Sequence, residues 1–423
     1  MATSWIPVSG RSPFGVDTLP YGIFTVRDED ARVGVAIGEY VLDLAPLAAE
    51  ENLDGAHVFA QDNLNPFMSL GPRAWAAVRG WIRELLTEEP HRALVEPHLI
   101  PMAEARLHMP FAVADFVDFY ASQHHAENVG KILRPNSPAL PPAWRHLPIG
   151  YHGRAGTVVP SGTEIVRPCG LRIDGETPTY GPSTKLDIEA EVGFVVGVPS
   201  TMGHPVPVEA FAEHVFGVVL VNDWSARDIQ AFEYVPLGPF LGKSFATSIS
   251  SWVVPLAALA DARVEPPTRD PEPAEYLLDA AESWALEIDL EVRWNGATVS
   301  RPPFAQMYWT AAQQLAHLTA NGASVRTGDL YASGTVSGPE PDQRGSFLEL
   351  TRNGADPVAL ADGSTRTFLA DGDTVTISAT APGPDGSRVG FGEVTGAVVP
   401  AVETETNEPL AGRSAVSRRP FRG

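Results

Sequence analysis

The first hundred residues contain short apolar runs separated by turn-forming residues. Residues 22–44, GIFTVRDEDARVGVAIGEYVLDL, hold three β-rich runs of this kind, a pattern typical of a small β-meander or barrel. Four apolar residues then recur at helical spacing after Pro72: Trp75, Val78, Ile82 and Leu85. This spacing predicts an amphipathic helix that begins near the proline.

Strands dominate the chain beyond a predicted boundary near residues 110–117. Five alternating or continuously apolar runs predict strands, at residues 185–197, 215–226, 285–296, 371–380 and 389–399. Two helical patterns lie between them, at 207–217 and 306–322, the second with Gly322 near its end. The Pro- and acid-rich residues 261–283 predict a surface insertion.

Composition narrows the class of protein. The 423 residues carry a net charge of −22 with a pI of about 4.8, which disfavours nucleic acid and anionic membranes as partners. The single cysteine, Cys169, excludes an internal disulfide and a multi-cysteine zinc site. A secretory pattern and a long apolar run are both missing, so the prediction is a soluble, cytoplasmic protein. Residues 411–423 predict a basic tail.

The stretch GPFLGKS, residues 238–244, superficially resembles a phosphate-binding loop. Only three residues separate Gly238 from Gly242, where such a loop has four. Pro239 also removes a backbone N–H that would face phosphate. We therefore exclude a nucleotide-binding loop, and the role of Lys243 needs another explanation.

Three polar clusters are candidates for chemistry. Residues 115–134 combine aspartates, Tyr120, two adjacent histidines and Arg134, and residues 222–244 combine Asp223, Arg227, Gln230, Tyr234 and Lys243. The third cluster is Glu189 and Glu191, which are two residues apart and therefore share one face of a strand. Each also has a plainer explanation: a polar surface loop, a local ion pair between Arg227 and Asp228, or an edge strand with a solvated face.

Four carboxylates form a set of hard oxygen donors at the polar ends or faces of apolar runs: Asp118, Glu189, Glu191 and Asp223. Such donors suit Ca²⁺ or Mg²⁺ and do not suit zinc. Spacing alone does not show that the four meet in space.

These clusters also carry a family resemblance. The motifs HHAENVG, HLPIGYHGRAG, NDWSARDIQ, EYVPLGPFLGKSF, MYWTAAQQLAHLTANG and SGTVSGPEPDQRGSFLEL resemble those of the fumarylacetoacetate hydrolase family, in the family's order, over residues 115–400. The resemblance implies a β-dominated α+β fold. A small SH3-like N-terminal barrel domain (residues 1–116) would precede a mixed β-sandwich or roll (residues 117–410), with the tail at 411–423. It further implies a homodimer.

The resemblance also implies an activity, the hydrolysis of the carbon–carbon bond of 4-fumarylacetoacetate to fumarate and acetoacetate, at the end of tyrosine and phenylalanine breakdown. His125 would be the general base, oriented by Glu349, and Arg227, Gln230 and Lys243 would stabilise developing charge. Substrate oxygens would be held by Tyr120, Arg134, Tyr151, Gln230, Tyr234 and Thr335. The metal centre, for Ca²⁺ or Mg²⁺, would comprise Asp118, Glu189, Glu191, Asp223, Lys243 and Thr247.

Two other functions remain open at the level of the sequence. One is a related Mg²⁺-dependent decarboxylase or hydratase of oxo-acids from the same superfamily, although those relatives generally lack the long N-terminal part and the run with Tyr234. The other is a non-catalytic metal-binding scaffold, which the presence of His125 and Lys243 disfavours. Which of the adjacent histidines, His124 or His125, acts as the base is a hypothesis that favours His125.

Overall fold

The structure is a computed structural model that describes residues 4–8, 12–279, 283–360 and 363–402. The predicted basic tail, 411–423, lies outside the described residues. Within the described residues the fold is a β-dominated α+β fold with mixed sheets, as the resemblance implied. None of the described helices combines the length and the apolar character needed to cross a membrane.

The N-terminal part contains the predicted strands and helix. Its strands are β1 (Tyr21–Val26), β2 (Arg32–Ile37), β3 (Tyr40–Asp43), β4 (Leu99–Pro101) and β5 (Ala105–Leu107). Its helices are α1 (Leu44–Glu50), α2 (Asn65–Met68), α3 (Pro72–Thr87) and α4 (Arg92–Val95). Helix α3 begins at the proline and buries Val78, Ile82 and Leu85, which confirms the helix predicted from their spacing.

The N-terminal strands do not form a sheet of their own. Strands β1, β2 and β3 form an antiparallel meander, β4 pairs with β3, and β5 pairs with β1. Strand β1 also pairs with a strand from the second half of the chain, Trp252–Pro255. Among the described strands no pairing closes this group into a barrel, so the SH3-like barrel is not confirmed.

In the rest of the described chain, strands make up most of the regular secondary structure. In chain order the strands are β6 (Phe116–Phe119), β7 (Gly150–His152), β8 (Val158–Pro160), β9 (Ile165–Val166), β10 (Cys169–Asp174), β11 (Thr177–Pro182), β12 (Leu186–Asp187), β13 (Ala190–Val196), β14 (Val215–Asp223), β15 (Ser225–Ala226), β16 (Thr247–Ile249), β17 (Trp252–Pro255), β18 (Arg263–Val264), β19 (Ala285–Leu286), β20 (Asp289–Trp294), β21 (Ala297–Ser300), β22 (Leu330–Ala332), β23 (Val358–Ala359), β24 (Thr365–Arg366), β25 (Thr374–Pro382) and β26 (Arg388–Val399). The helices are α5 (Gln123–Leu133), α6 (Phe211–His214), α7 (Arg227–Glu233), α8 (Ala311–Thr319) and α9 (Phe347–Leu350).

Two predicted helices are shorter than their patterns indicated. The pattern at 207–217 yields a 3-10 helix at Val208–Ala210 followed by α6, and it ends early because β14 already begins at Val215. The pattern at 306–322 yields α8, which begins at Ala311 because extended Thr310 caps it, with its side chain accepting from the backbone of Gln313. Gly322 follows this helix with a positive φ of 87°, as a glycine after a helix end commonly does.

The largest sheet has the order β4-β3-β2-β1-β17-β14-β13-β22-β6-β7, with β5, β8 and β16 joined at its sides. The central strands of this sheet are buried on both faces, which explains their continuous apolar runs. In β14, Val218 and Leu220 face one hydrophobic cluster, whereas Val219 and Val221 face another. A second sheet, β21-β20-β25-β26-β9, contributes its apolar face to the first cluster.

Candidate functional site

Neighbouring strands of the large sheet bring the four predicted carboxylates together. Asp118 lies on β6, Glu189 immediately precedes β13, which carries Glu191, and Asp223 is the last residue of β14. Strand β13 pairs with β14 on one side and with β22 on the other, and β22 pairs with β6. The edge-strand explanation of the two glutamates is therefore wrong, since β13 is a central strand.

The four carboxylates form a buried acidic cluster that can hold a metal ion. Each contributes one oxygen to a group whose atoms all lie within 4.8 Å of one another, and all four side chains are buried. Oδ1 of Asp118 and both carboxylate oxygens of Glu191 have no hydrogen-bond donor among the described residues. Buried acceptors without partners are costly, and a hard divalent cation satisfies such oxygens.

The electrostatics of this acidic cluster agree with its geometry. Burial, together with the charges of neighbouring carboxylates, raises the pKa of both Asp118 and Glu191 well above their ordinary values. Burial opposes ionisation of Glu189 as well, but Lys243 and Arg227 outweigh it and lower the pKa of that carboxyl. The cluster therefore has one side neutralised by protein cations and one side, Asp118 and Glu191, that is not.

Lys243 and Thr247 reach the cluster by bonding its carboxylates. Nζ of Lys243 donates to Glu189 Oε2 at 2.5 Å and to Asp223 Oδ2 at 2.7 Å, and Thr247 Oγ1 donates to Asp223 Oδ1 at 2.6 Å. Burial favours the neutral amine, yet Asp223 and Glu189 raise the pKa of Lys243. The side chain therefore stays an ammonium within the site.

Lys243 lies on the GPFLGKS loop. The backbone N–H groups of this loop bind a carboxylate of the protein, where those of a phosphate loop would bind phosphate. Glu233 Oε1 accepts from the backbone N–H of Gly242 at 2.7 Å and from that of Phe240 at 3.3 Å. A Cβ on Gly242 would lie 2.7 to 2.8 Å from Gln230, so the close packing of the loop on α7 requires glycine there.

His125 and Glu349 form a buried dyad beside the acidic cluster. His125 is on the first turn of α5, whose N-cap Ser122 accepts from its backbone N–H at 3.2 Å. Its Nδ1 lies 2.7 Å from Glu349 Oε2, and its Nε2 lies 4.0 Å from Glu189 Oε1. Since an ionised carboxylate only accepts hydrogen bonds, Nδ1 carries the proton and Nε2 is left free to take one.

Glu349 is itself held by several donors that sequence analysis overlooked. Asn128 donates to Oε1 at 2.9 Å, and Ser337 and Ser346 donate to Oε2 at 3.1 and 2.8 Å. Burial opposes its ionisation, but His125, Asn128 and Ser346 lower the pKa of Glu349. The only signal in the sequence was that Asn128 lies within the motif HHAENVG and that Ser337 and Ser346 lie within SGTVSGPEPDQRGSFLEL.

Asp187 was also overlooked, and it supports two parts of the site. Its Oδ2 accepts from Arg227 Nε at 2.8 Å, and its two oxygens accept from the backbone N–H groups of Phe347 and Leu348. It thus fixes Arg227 and the N-terminus of α9, the helix that carries Glu349. An aspartate at a helix N-terminus is stabilising there, but nothing in the local sequence links Asp187 to a helix 160 residues later.

The predicted substrate-binding residues surround one cavity of about 860 Å³, which His125 and Lys243 also line. Those on the cavity wall are Tyr120, Arg134, Tyr151, Gln230, Tyr234 and Thr335. Thr335 Oγ1 and Arg227 Nη2 are buried without a partner among the described residues. The hydroxyl of Tyr151 lies 3.3 Å from Asp223 Oδ2, so this residue contacts the acidic cluster directly.

Other predicted residues lie outside the wall of that cavity. Glu349 lies behind His125. Asp223 and Thr247 line a smaller cavity of about 120 Å³, which Tyr151 and Lys243 share with the larger one. Tyr234 is 37% exposed and lies at the rim. His124, the neighbour of His125, is half-buried and is not part of the cavity wall.

Comparisons with known proteins identify the family of this chain. The model of the fumarylacetoacetate hydrolase C-terminal domain matches residues 115–399, and that of the fumarylacetoacetase N-terminal domain matches residues 17–110. The chain is 46% identical over 421 residues to human fumarylacetoacetase, covering 94% of this chain and 99% of the human protein. It is 45% identical over 417 residues to the Arabidopsis thaliana fumarylacetoacetase, covering 94% and 98%.

Solved structures show the same fold at low sequence identity. A fumarylacetoacetate hydrolase from Exiguobacterium antarcticum superposes with a TM-score of 0.53 at 17% identity, covering 90% of this chain and 100% of that one. A maleylpyruvate hydrolase from Sphingobium superposes with a TM-score of 0.50 at 17% identity, with the same coverage. The two family matches and the fumarylacetoacetase relatives show that the chain belongs to the fumarylacetoacetate hydrolase family.

Proposed function

We propose that this chain is a metal-dependent hydrolase of 4-fumarylacetoacetate that releases fumarate and acetoacetate, the final step of tyrosine and phenylalanine breakdown. The observation that carries the proposal is that the His125–Glu349 dyad lies beside the buried acidic cluster, with His125, Asp118 and Glu189 on the wall of one cavity. Fumarylacetoacetases nearly half identical over almost the whole chain support the choice of substrate.

His125 is the general base in this proposal. Nε2 removes a proton from water while the Nδ1–H group keeps its bond to Glu349, which holds the ring and stabilises the imidazolium. The water oxygen bonds to the carbonyl carbon on the fumaryl side, and the bond from that carbon to the central methylene breaks. The electron pair goes to the methylene as an enolate, and a proton added to this carbon completes acetoacetate.

The chain's own donors stabilise the charge that develops. Arg227 Nη2 has no protein partner, and Gln230 accepts from Arg227 Nη1 at 3.1 Å through Oε1, which leaves its amide N–H groups available. The ammonium of Lys243 has three N–H donors, and two of them bond to carboxylates. One donor aimed at developing charge is typically worth about 3–4 kcal/mol.

The metal centre would be held by Asp118, Glu189, Glu191 and Asp223, with Lys243 and Thr247 bonded to the carboxylates. The all-oxygen donor set supports Ca²⁺ or Mg²⁺ as the ion. When bound, such an ion supplies Lewis-acid polarisation of the two diketone oxygens. Tyr120, Arg134, Tyr234 and Thr335 would hold substrate oxygens, and Tyr151 would orient Asp223 as well.

The organisation of the protein is part of the proposal. Residues 1–116 would form the N-terminal domain and residues 117–410 the catalytic domain, which the two family matches support. The resemblance supports a homodimer, and apolar side chains such as Leu237 and Phe240, 96% and 67% exposed, offer surface for one. Light scattering on a sizing column tests this. The cytoplasmic location stays a prediction from the sequence.

The test of the function is loss of the diketone absorbance when purified protein is added to fumarylacetoacetate, with the products identified by NMR. We expect fumarate and acetoacetate in equal amounts, no turnover in EDTA, and recovery with Ca²⁺ or Mg²⁺. An absence of cleavage with either ion would overturn the proposed substrate. Related oxo-acids, including substrates for decarboxylation or hydration, would then be the ones to screen.

A further inference from the structure

The cationic side chains around the cavity fall into two groups. Lys243 and Arg227 are each bonded to two carboxylates, and Arg172 has two carboxylates within 4.0 Å. In contrast, Lys185 and Arg134 line the same cavity with no carboxylate within 4.0 Å of their charged nitrogens among the described residues. Sequence analysis assigned a role to Arg134 and none to Lys185.

Lys185 is held in place by backbone contacts with elements that carry other residues of the site. Its carbonyl accepts from the backbone N–H of Arg227 at 3.0 Å, and it immediately precedes β12, which carries Asp187. Its Nζ donates to Asn353 Oδ1 at 2.9 Å and lies 5.6 Å from the centre of the Phe368 ring. A half-buried ammonium whose only hydrogen-bond partner among the described residues is a neutral amide keeps most of its charge available.

Asn353 is equally well positioned. It lies three residues after α9, with a positive φ of 58°, and its backbone N–H bonds to the carbonyl of Leu348 at 2.8 Å. Because its Oδ1 accepts from Lys185, its amide N–H₂ group is free to donate. Asn353 and Lys185 both line the cavity, so an ammonium and an amide donor lie side by side on its wall.

We infer that Lys185 and Asn353 form a subsite for one terminal carboxylate of the substrate, and that Arg134 takes the other. This inference rests on the proposed function, whose substrate carries a carboxylate at each end of its diketone. A divalent ion and the cations Lys243 and Arg227 balance the four carboxylates of the acidic cluster, so they leave no charge for the substrate's ends. Lys185 and Arg134 are the cavity cations that remain for that purpose.

The test compares Lys185→Met with wild type on three substrates. The first is fumarylacetoacetate, the second is 3,5-dioxohexanoate, which lacks the fumaryl carboxylate, and the third is 4,6-dioxohept-2-enoate, which lacks the acetoacetate carboxylate. We expect kcat/KM to fall about 10- to 100-fold on fumarylacetoacetate, mainly through KM. The same loss is expected on one monocarboxylate, with less than about a threefold change on the other, the analogue that lacks the carboxylate bound by Lys185.

Three further variants separate binding from structure. Arg134→Met should show the reciprocal pattern on the two monocarboxylates. Asn353→Gly, which suits the positive φ, should follow the pattern of Lys185→Met with a smaller loss. Lys131→Met, which removes an exposed lysine bonded to Glu127 on α5, should match wild type on all three substrates. An equal loss for Lys185→Met on all three would mean that it only fastens the segment after α9, and would overturn the inference.

Binding measured by isothermal titration calorimetry tests the inference independently of turnover. Fumarate and acetoacetate are titrated separately into metal-loaded wild type and Lys185→Met, and one of the two anions should bind about 10-fold or more weakly to the variant. If wild type fails to cleave fumarylacetoacetate, the proposed function is wrong. Unchanged binding of both anions by Lys185→Met would overturn the inference alone.

Discussion

Two glutamates in this site are equally buried and have opposite surroundings. Glu349 is 1% exposed and Glu191 is 0% exposed. The oxygens of Glu349 accept from His125, Asn128, Ser337 and Ser346, whereas the oxygens of Glu191 have no donor among the described residues. Accordingly, the pKa of Glu349 lies below the ordinary value and that of Glu191, through burial and the charge of Asp118, lies well above it.

This difference separates what the chain completes by itself from what it leaves to a bound ion. The dyad is a finished hydrogen-bond network, and such networks are rigid when every member is satisfied. The acidic cluster is unfinished, because carboxylates that repel one another lie close together there, and they can all stay ionised only if a cation is bound. In the proposed mechanism the base is therefore preorganised by protein alone, whereas the carboxylates that face it are those that a metal ion would complete.

The largest effect is expected from removing the base. His125→Ala should lower kcat about 10³-fold or more with the metal requirement unchanged, because it removes the proton acceptor while leaving the four carboxylates. Steady-state assays at several metal concentrations measure both quantities.

The adjacent histidine provides the matched control. His124 is half-buried, lies outside the cavity wall and sits on the same turn of α5. His124→Ala should therefore retain nearly full activity. If His124→Ala lost activity and His125→Ala kept it, His124 would be the base, and the contrast between the His125–Glu349 dyad and the acidic cluster would no longer hold.

A second pair of variants distinguishes the two glutamates. Glu349→Gln should lower kcat about 100-fold at saturating metal, because the amide no longer stabilises the imidazolium. Glu191→Gln should instead raise the metal concentration needed for half-maximal activity about 10-fold or more, because it removes one anionic ligand. Titration of Ca²⁺ or Mg²⁺ against activity separates the two effects, and the same shift in both variants would count against this division.

The pattern of the sequence predicted the acidic cluster better than it predicted the dyad's supports. Glu189 and Glu191 stand out because charged residues two apart interrupt an apolar run, and Asp223 stands out at the end of another. A charged residue within an apolar run can be recognised from the sequence alone. That these residues meet Asp118 required the pairing of β6, β22, β13 and β14, which no local spacing encodes.

The hydrogen-bond network around Glu349 was harder to recognise in the sequence, because its members are ordinary polar residues. Ser337, Ser346 and Asn128 are common in loops and helix caps, and nothing in their neighbours marks them as partners of Glu349. Asp187 acts over a separation of 160 residues, and Lys185 and Asn353 are 168 apart. Contacts of this kind follow from the tertiary fold and not from local pattern.

A smaller effect is expected on stability as pH is lowered. A carboxyl whose pKa is lower when folded contributes stability above its unfolded value, about 4.3 for glutamate, and loses it as pH falls through the folded value. Wild type should therefore be about 1–3 kcal/mol more stable than Glu349→Gln at pH 7, and this gap should shrink below about pH 4.3. Urea unfolding measures it.

The control for this pH series is Glu176→Gln, in the exposed turn between β10 and β11. Its difference from wild type should be small and flat with pH. A gap for Glu349→Gln that stays constant down to about pH 3.5, where glutamates are protonated, would show that the carboxylate charge is not what stabilises the dyad.

The most direct test of the whole account is the free energy of unfolding of Glu191→Gln and Glu349→Gln in EDTA, measured by urea denaturation. We predict opposite signs: Glu349→Gln less stable than wild type, and Glu191→Gln more stable by about 1 kcal/mol, because an amide can donate to the unpartnered oxygen of Asp118. Saturating Ca²⁺ or Mg²⁺ should then make wild type more stable than Glu191→Gln. If Glu191→Gln were destabilised in EDTA like Glu349→Gln, the acidic cluster would already be complete without an ion, and the account would be wrong.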